Sequence, residues 1–242
     1  MAETHDDHTV RSYDQELDQL SVSLLELGGL VMDQTEQAVS ALTNRDDAVA
    51  RKVIEREKEV NAYDTRIEEM AVHLLAKRAP VGADLRTVLA MLKAGTDLER
   101  AGDEAKKIAK VARSLTEREV PPAPPLVARV ESITALVTQM LRDVLSALDN
   151  SDEKLAVRVA EGDKQVDKEY RAALATMHEY LKVEGRDLQY VADAIIVLKA
   201  LERIGDHAKN IAKYVVFVVQ GRDVRHVKAK HLHKEIGDES SG

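Results

Sequence analysis

The sequence predicts an all-α protein built as two tandem antiparallel three-helix bundles. Three observations carry that expectation. Ala, Leu, Val, Glu, Lys and Arg dominate the 242 residues, and aromatics make up only 3%, which is the composition of long helices packed through aliphatic seams. Apolar residues recur at three- and four-residue spacing along six stretches. Finally, residues 97–110 (DLERAGDEAKKIAK) return in altered form within residues 198–213 (LKALERIGDHAKNIAK), so the chain reads as an internal duplication.

The first helix is expected over residues 13–44, with Leu17, Leu20, Leu24, Leu27, Val31 and Ala38 on one side. Gly28 and Gly29 in its middle cost ~1 kcal/mol each relative to Ala, so they imply a close helix approach or a kink. Residues 1–12 are polar and are expected to be mobile. A turn at residues 44–46 leads into a second helix over residues 47–77, which Pro80 and Gly82 end. Asp84 is placed to cap a third helix running to about Ser114. Four of the five prolines fall in residues 120–125 (VPPAPP), which reads as a stiff linker. Helices over residues 126–149, 152–182 and 188–220 follow, with turns at residues 150–151 and 184–185. Val215 to Val219 is the one β-branched run, and it continues the helical period. The organisation expected is therefore 13–116 for the first repeat, 117–125 for the linker, 126–221 for the second repeat and 222–242 for a polar tail. Short loops make neighbouring helices antiparallel.

Composition excludes several function classes. A formal charge of −8 argues against non-specific nucleic-acid binding. The absence of Cys removes disulfides, thiolate catalysis and Cys–zinc sites. No apolar run approaches the ~20 residues that span a bilayer, and the opening MAETHDDHTV lacks the regions of a signal peptide. A soluble cytoplasmic protein is expected. No nucleophile triad and no phosphate-cradling Gly-rich loop is present, so the protein is not expected to be an enzyme.

Side chains at i, i+4, i+7 and i+11 lie nearly in line on a helix. In the sixth helix such a line runs Val191, Ile195, Leu198, Glu202, Asp206, Lys209, Lys213. In the third it runs Val88, Leu92, Gly95, Glu99, Asp103, Lys106, Lys110. Both pass from apolar to acidic to basic. The fifth helix interrupts an apolar seam with Asp163 and Asp167, and the second carries Glu57, Asn61 and Asp64 on the matching line. Like charges at i, i+4 repel, and beside a seam they also lose solvation. Two readings fit. The lysines neutralise the acids as surface ion pairs, or facing helices hold an oxygen-ligated cation such as Mg²⁺, Mn²⁺, Ca²⁺ or non-haem iron.

LERxGD followed by AxxIA, twice in a chain of two three-helix repeats, resembles the PhoU family of phosphate-signalling regulators over roughly residues 13–220. Residues 201–212 (LERIGDHAKNIA) match the family motif closely. The first copy has Ala101, Glu104 and Lys107 where the family has Ile, His and Asn. Residues 78–86 (RAPVGADLR) look like the family's loop before its third helix. The resemblance implies a PhoU-like fold and multinuclear surface sites for metal, whether iron, zinc, manganese or magnesium. The first site would use Glu57, Asn61, Glu99 and Asp103, and the second Asp163, Asp167, Glu202 and Asp206. Asn61 departs from the expected Asp, which favours the second site. The resemblance also implies a homodimer that negatively regulates phosphate uptake and the phosphate-starvation regulon. It would link the ATPase of the phosphate transporter (PstB-like) to a membrane sensor histidine kinase (PhoR-like).

A rival reading, a carboxylate-bridged di-iron-type enzyme, requires Glu-x-x-His pairs that the motif helices lack. His207 reads as a surface histidine. His226, His231 and His233 suggest adventitious metal binding at most. Arg100 and Arg203 read as salt-bridged surface arginines, with contact to phosphate or a partner carboxylate as the other option.

Overall fold

The computed structural model describes residues 4–121, 123–183 and 187–222, and over these the chain is six α-helices with no strand. They are α1 (Thr4–Asn44), α2 (Asp47–Arg78), α3 (Gly82–Glu117), α4 (Pro124–Asp149), α5 (Glu153–Leu181) and α6 (Leu188–Gln220). The turns expected at residues 44–46 and 150–151 separate α1 from α2 and α4 from α5, and aspartates that the sequence reading did not single out cap three of the helices. Asp46, Asp152 and Asp187 each accept a backbone N–H of the helix they precede, from Val49, Leu155 and Gln189. Gly221 closes α6 at φ 71°, a left-handed cap that glycine adopts without a Cβ penalty. The Val215–Val219 run is helical.

Three boundaries differ from expectation. Helix α1 is already helical at Thr4, where residues 1–12 were expected to be mobile. No Pro or Gly stands there to stop it, and apolar periodicity alone could not see a polar helical extension. Helix α3 starts at Gly82 with no side-chain cap, and Asp84 lies within its first turn. Pro124 and Pro125 open α4 instead of belonging to the linker, because a proline in the first turn gives up only an N–H that has no helical partner. The remaining linker is held in place. The backbone N–H of Ala123 donates to Tyr190 Oη at 2.9 Å, and Arg118 pairs with Asp193. The tail beyond Arg222, with His226, His231 and His233, and the turn at residues 184–185 lie outside the described residues.

Helices α1–α3 pack together, as do α4–α6, and the two bundles share one continuous core through α3 against α6 and α1 against α4. Leu20, Leu24, Leu27, Val31 and Ala38 of the predicted α1 stripe are essentially solvent-free. The glycine pair splits in role. A Cβ on Gly28 would lie 2.4 Å from a methyl carbon of Leu145 in α4, whereas one on Gly29 meets nothing within 4 Å. Gly28 therefore marks a close approach of the two repeats, and Gly29 does not. In the first bundle, Glu16 of α1 accepts from Lys77 at 2.9 Å and from Arg78 at 2.9 and 3.1 Å. These partners hold its carboxyl down at about 2.

The two neighbouring glycines should respond oppositely to substitution. Gly29→Ala should raise stability by roughly 0.5–1 kcal/mol through helix propensity. Gly28→Leu should lower it by about 1–3 kcal/mol through overpacking. Urea midpoints measure both, and equal effects of one sign would contradict the inter-repeat contact.

Candidate carboxylate metal centre

The first cluster lies where α2 and α3 run antiparallel. Glu57 sits on the α2 line between Val53 and Val60, both solvent-free, and is itself only 5% exposed. Glu99 and Asp103 sit one turn apart on α3. Each of the three offers a carboxylate oxygen, and those atoms all lie within 4.8 Å of one another. Lys106 stays loosely beside them, 3.5 Å from Glu57 Oε1 and 3.6 Å from Asp103 Oδ1. Glu57 Oε2 is buried and has no hydrogen-bond partner, which is costly for a carboxylate oxygen. Burial, and then hydrogen-bonding contact with Asp103, push the Glu57 carboxyl up against the pull of Lys106. Burial likewise raises Glu99, with Asp103 and Asp64 adding repulsion. Asp64 is raised by burial and by Glu68. Asn61, one turn beyond Glu57 on α2, is exposed.

The second cluster is closed by its lysine. Asp163 on α5 is 9% exposed. Lys209 Nζ lies 2.6 Å from Asp163 Oδ2 and 3.1 Å from Asp206 Oδ1. Burial lowers the Lys209 ammonium, but the bonds to Asp163 and Asp206 outweigh it and leave the group raised. Burial also raises Asp163 despite Lys209, with Asp206 and Asp167 contributing. Glu202 is engaged by Lys199 at 2.6 Å, and Asp167 faces Arg171 at 3.7 Å. The sequence favours this site because Asn61 weakens the other. Among the described residues only Glu57, Glu99 and Asp103 bring three carboxylate oxygens within 4.8 Å of one another; Lys106 stands 3.5 Å or more from that cluster, whereas Lys209 bonds two acids of the second at full hydrogen-bond distance.

A polar cluster that the sequence reading missed lies between the repeats. His207 is buried, not a surface residue, and its Nδ1 lies 2.7 Å from Asp97 Oδ1. Asn210 and Tyr214 also donate to Asp97, at 3.3 and 2.8 Å. Their spacing on α6 (207, 210, 214) puts all three on one face, a signal visible in the sequence once α3 is known to pack there. Arg203 pairs with Glu104 across the same seam at 3.1 Å.

The chemistry available is that of a hard-cation site. Oxygen ligands from two helices converge, and their mutual repulsion is relieved only partly by lysine. The buried orphan oxygen of Glu57 fits an ion that would take it as a ligand.

Comparison with known proteins gives a consistent result. A family model described as PhoU domain matches residues 24–112 and 130–215. A Pseudomonas putida relative, a phosphate-specific transport system accessory protein PhoU homolog, is 39% identical over 95% of this chain and 89% of its own length. The Escherichia coli phosphate-specific transport system accessory protein PhoU is 35% identical, covering 97% and 96%. Among solved structures, PhoU from Pseudomonas aeruginosa superposes with a TM-score of 0.82 at 38% identity, covering 87% of this chain and all of that one. The phosphate transport system regulatory protein PhoU from Streptococcus pneumoniae gives 0.80 at 29%, covering 88% and 99%.

Carboxyls raised in the folded state favour folding most at low pH, and that contribution fades as pH rises through their folded values. In metal-free protein, Glu99→Gln should therefore raise thermal stability at pH 7. The gap from wild type should close as pH falls below the ordinary value of 4.5. A Glu99→Gln protein less stable than wild type at pH 7 would contradict the repulsion inferred for this cluster.

Proposed function

This chain belongs to the PhoU family, and on that premise we propose that it is a non-enzymatic accessory protein of phosphate transport that restrains uptake and the phosphate-starvation response. The observation that carries the reading is the match of both repeats, at near full length, to accessory proteins of the phosphate-specific transport system. Its partners are the transporter's cytoplasmic ATPase and a membrane sensor kinase. No helix among the described residues is long and apolar enough to cross a membrane, which fits a protein that meets membrane complexes from outside the bilayer. An adaptor of this kind shifts its partner's conformational equilibrium by binding one state more tightly than the other.

Divalent or ferric ions belong to the same proposal. Glu57, Glu99 and Asp103 hold the first ion, with Asp64 close by. Asp163, Asp167, Glu202 and Asp206 form the second site once Lys209 swings aside. The ion supplies positive charge where acids from two helices meet, and so ties α2 to α3 and α5 to α6. The protein's share is to present the carboxylates in a half-buried, partly dehydrated setting. The unpartnered Glu57 Oε2 supports this reading, as does the absence of Glu-x-x-His pairs on the motif helices, which a di-iron enzyme would need.

Metal content and thermal midpoint of untagged protein test the ion reading. Mn²⁺ or Zn²⁺ should raise the wild-type midpoint, and Glu57→Gln/Asp103→Asn should abolish the tighter of two binding steps. Glu202→Ala/Asp206→Ala should abolish the weaker one. Equal, negligible binding in all three proteins would refute it. For the adaptor reading, the ATPase and kinase cytoplasmic domains should each be retained by the immobilised full chain. Retention of neither, with or without metal, would refute that reading separately.

A further inference from the structure

A groove of about 440 Å³ lies where α1 meets the loop between α2 and α3, and it shares no residue with either carboxylate cluster. Its walls carry three kinds of group. Leu17, Pro80 and Val81 are apolar, and Val81 is 78% exposed, which leaves apolar surface uncovered. Asp14 and Asp84 are acidic and exposed, while the one base on the wall, Arg78, is bonded to Glu16. Tyr13 Oη is buried and has no hydrogen-bond partner among the described residues, so an O–H donor here lacks an acceptor. Helix α3 opens beside it at Val81 with no side-chain cap, which leaves first-turn N–H groups for an acceptor as well.

Those groups define the occupant. The donors call for carbonyl oxygens, the two carboxylates for cations, and the apolar wall for an aliphatic side chain. A basic peptide segment brings all three, whereas a small ion brings one.

The chain holds such a segment close by. Helix α6 ends at Gly221, where a Cβ would lie 3.3 Å from Arg86 Cζ, and Arg86 Nε donates to the Val218 carbonyl at 3.4 Å. Arg86 and Asp84 are two residues apart in the first turns of α3, on opposite sides of it. The groove is therefore about one helix width, 10–12 Å, from the point where the chain leaves α6. About six extended residues cover roughly 20 Å, which brings the residues from Lys228 onward within reach. Residues 224–234 (VRHVKAKHLHK) carry Arg225, Lys228, Lys230 and Lys234 and no acid, in a chain of net charge −8. Leu232 supplies the aliphatic group among them.

We propose that residues 224–234 dock in this groove of their own chain. The lysines face Asp14 and Asp84, Leu232 covers Val81 and Leu17, and a backbone carbonyl accepts the Tyr13 O–H. The contact fastens the end of the second repeat to the first. It draws on neither the cation sites nor the proposed partners, so it stands or falls apart from them.

The chain has no Cys, so a nitroxide on His231→Cys marks this segment in the full chain, and methyl NMR reads which side chains it broadens. Val81 and Leu17 should be broadened more than Val219, which lies where the segment leaves α6. Leu188 and Ile195, at the far end of α6, should be unaffected. Asp14→Lys/Asp84→Lys should weaken the effect at Val81 and Leu17 about threefold or more, and Tyr13→Phe about twofold. Both aspartates are exposed, so an unchanged thermal midpoint certifies the fold. Broadening that is strongest at Val219 and fades evenly with distance would show a segment that stays in solvent, and would overturn the proposal. So would an effect that survives charge reversal unchanged. Mixing spin-labelled chain with isotope-enriched chain that carries no label tests docking on a second copy. Equal broadening of Val81 in the enriched chain would place the segment on a neighbour and overturn the proposal too.

Discussion

The buried carboxylate of Glu57 is the constraint to which the first repeat is fitted. It sits in an α2 seam whose neighbours are Val53 and Val60, faces two further acids on α3, and leaves one oxygen without a partner. Burying an ionised carboxylate without full compensation costs several kcal/mol in general. Lys106 compensates only in part, because it stands 3.5 Å or more away. The second repeat solves the same problem differently: Lys209 closes onto Asp163 and Asp206 at full hydrogen-bond distance. One duplicated design thus exists here in an open and a closed form, and the difference lies in the reach of one lysine.

The repeats are not independent bundles. The motif copies on α3 and α6 pack against each other, with Asp97 gathering three donors from α6 and Glu104 taking Arg203. Two of the first copy's departures from the family motif, Glu104 and Lys107, fall on this seam. They replace a second His and Asn with a charged pair of 2.8 Å. An acid facing an arginine of the other repeat adds a link that a second neutral histidine would not supply. The linker is fastened to the same helix, through Tyr190 and Asp193. Changes at either carboxylate cluster are therefore one helix face away from the contact that holds the repeats together.

Much of this was legible in the sequence. The duplication, the six helices and the apolar stripe of α1 follow from periodicity and breakers, because these are local properties; the one cap the sequence placed, Asp84, lies inside α3, while Asp46, Asp152 and Asp187 do the capping. The acid pairs Glu99/Asp103, Asp163/Asp167 and Glu202/Asp206 could be placed on helix faces by spacing alone. The packing of α3 against α6 could not, since no one-dimensional signal says which faces of two bundles meet. His207 was misread for that reason: without the Asp97 it packs against, a histidine on a charged helix looks solvated. Ligand type at the two clusters could be weighed from the sequence, but the reach of each lysine could not. Asn61 is exposed, and the lysine that closes the second site looks the same in both copies of the motif.

The central claim is that Glu57, Glu99 and Asp103 form the better-prepared cation site. Anomalous diffraction from crystals soaked in limiting Mn²⁺ tests it most directly. The account predicts a first peak between these three carboxylates, within bonding distance of Glu57 Oε2, with the Asp163–Asp206 site filling only at higher concentration as Lys209 moves away. A peak that appears first at Asp163 and Asp206, or no peak at Glu57 at any concentration, would contradict it.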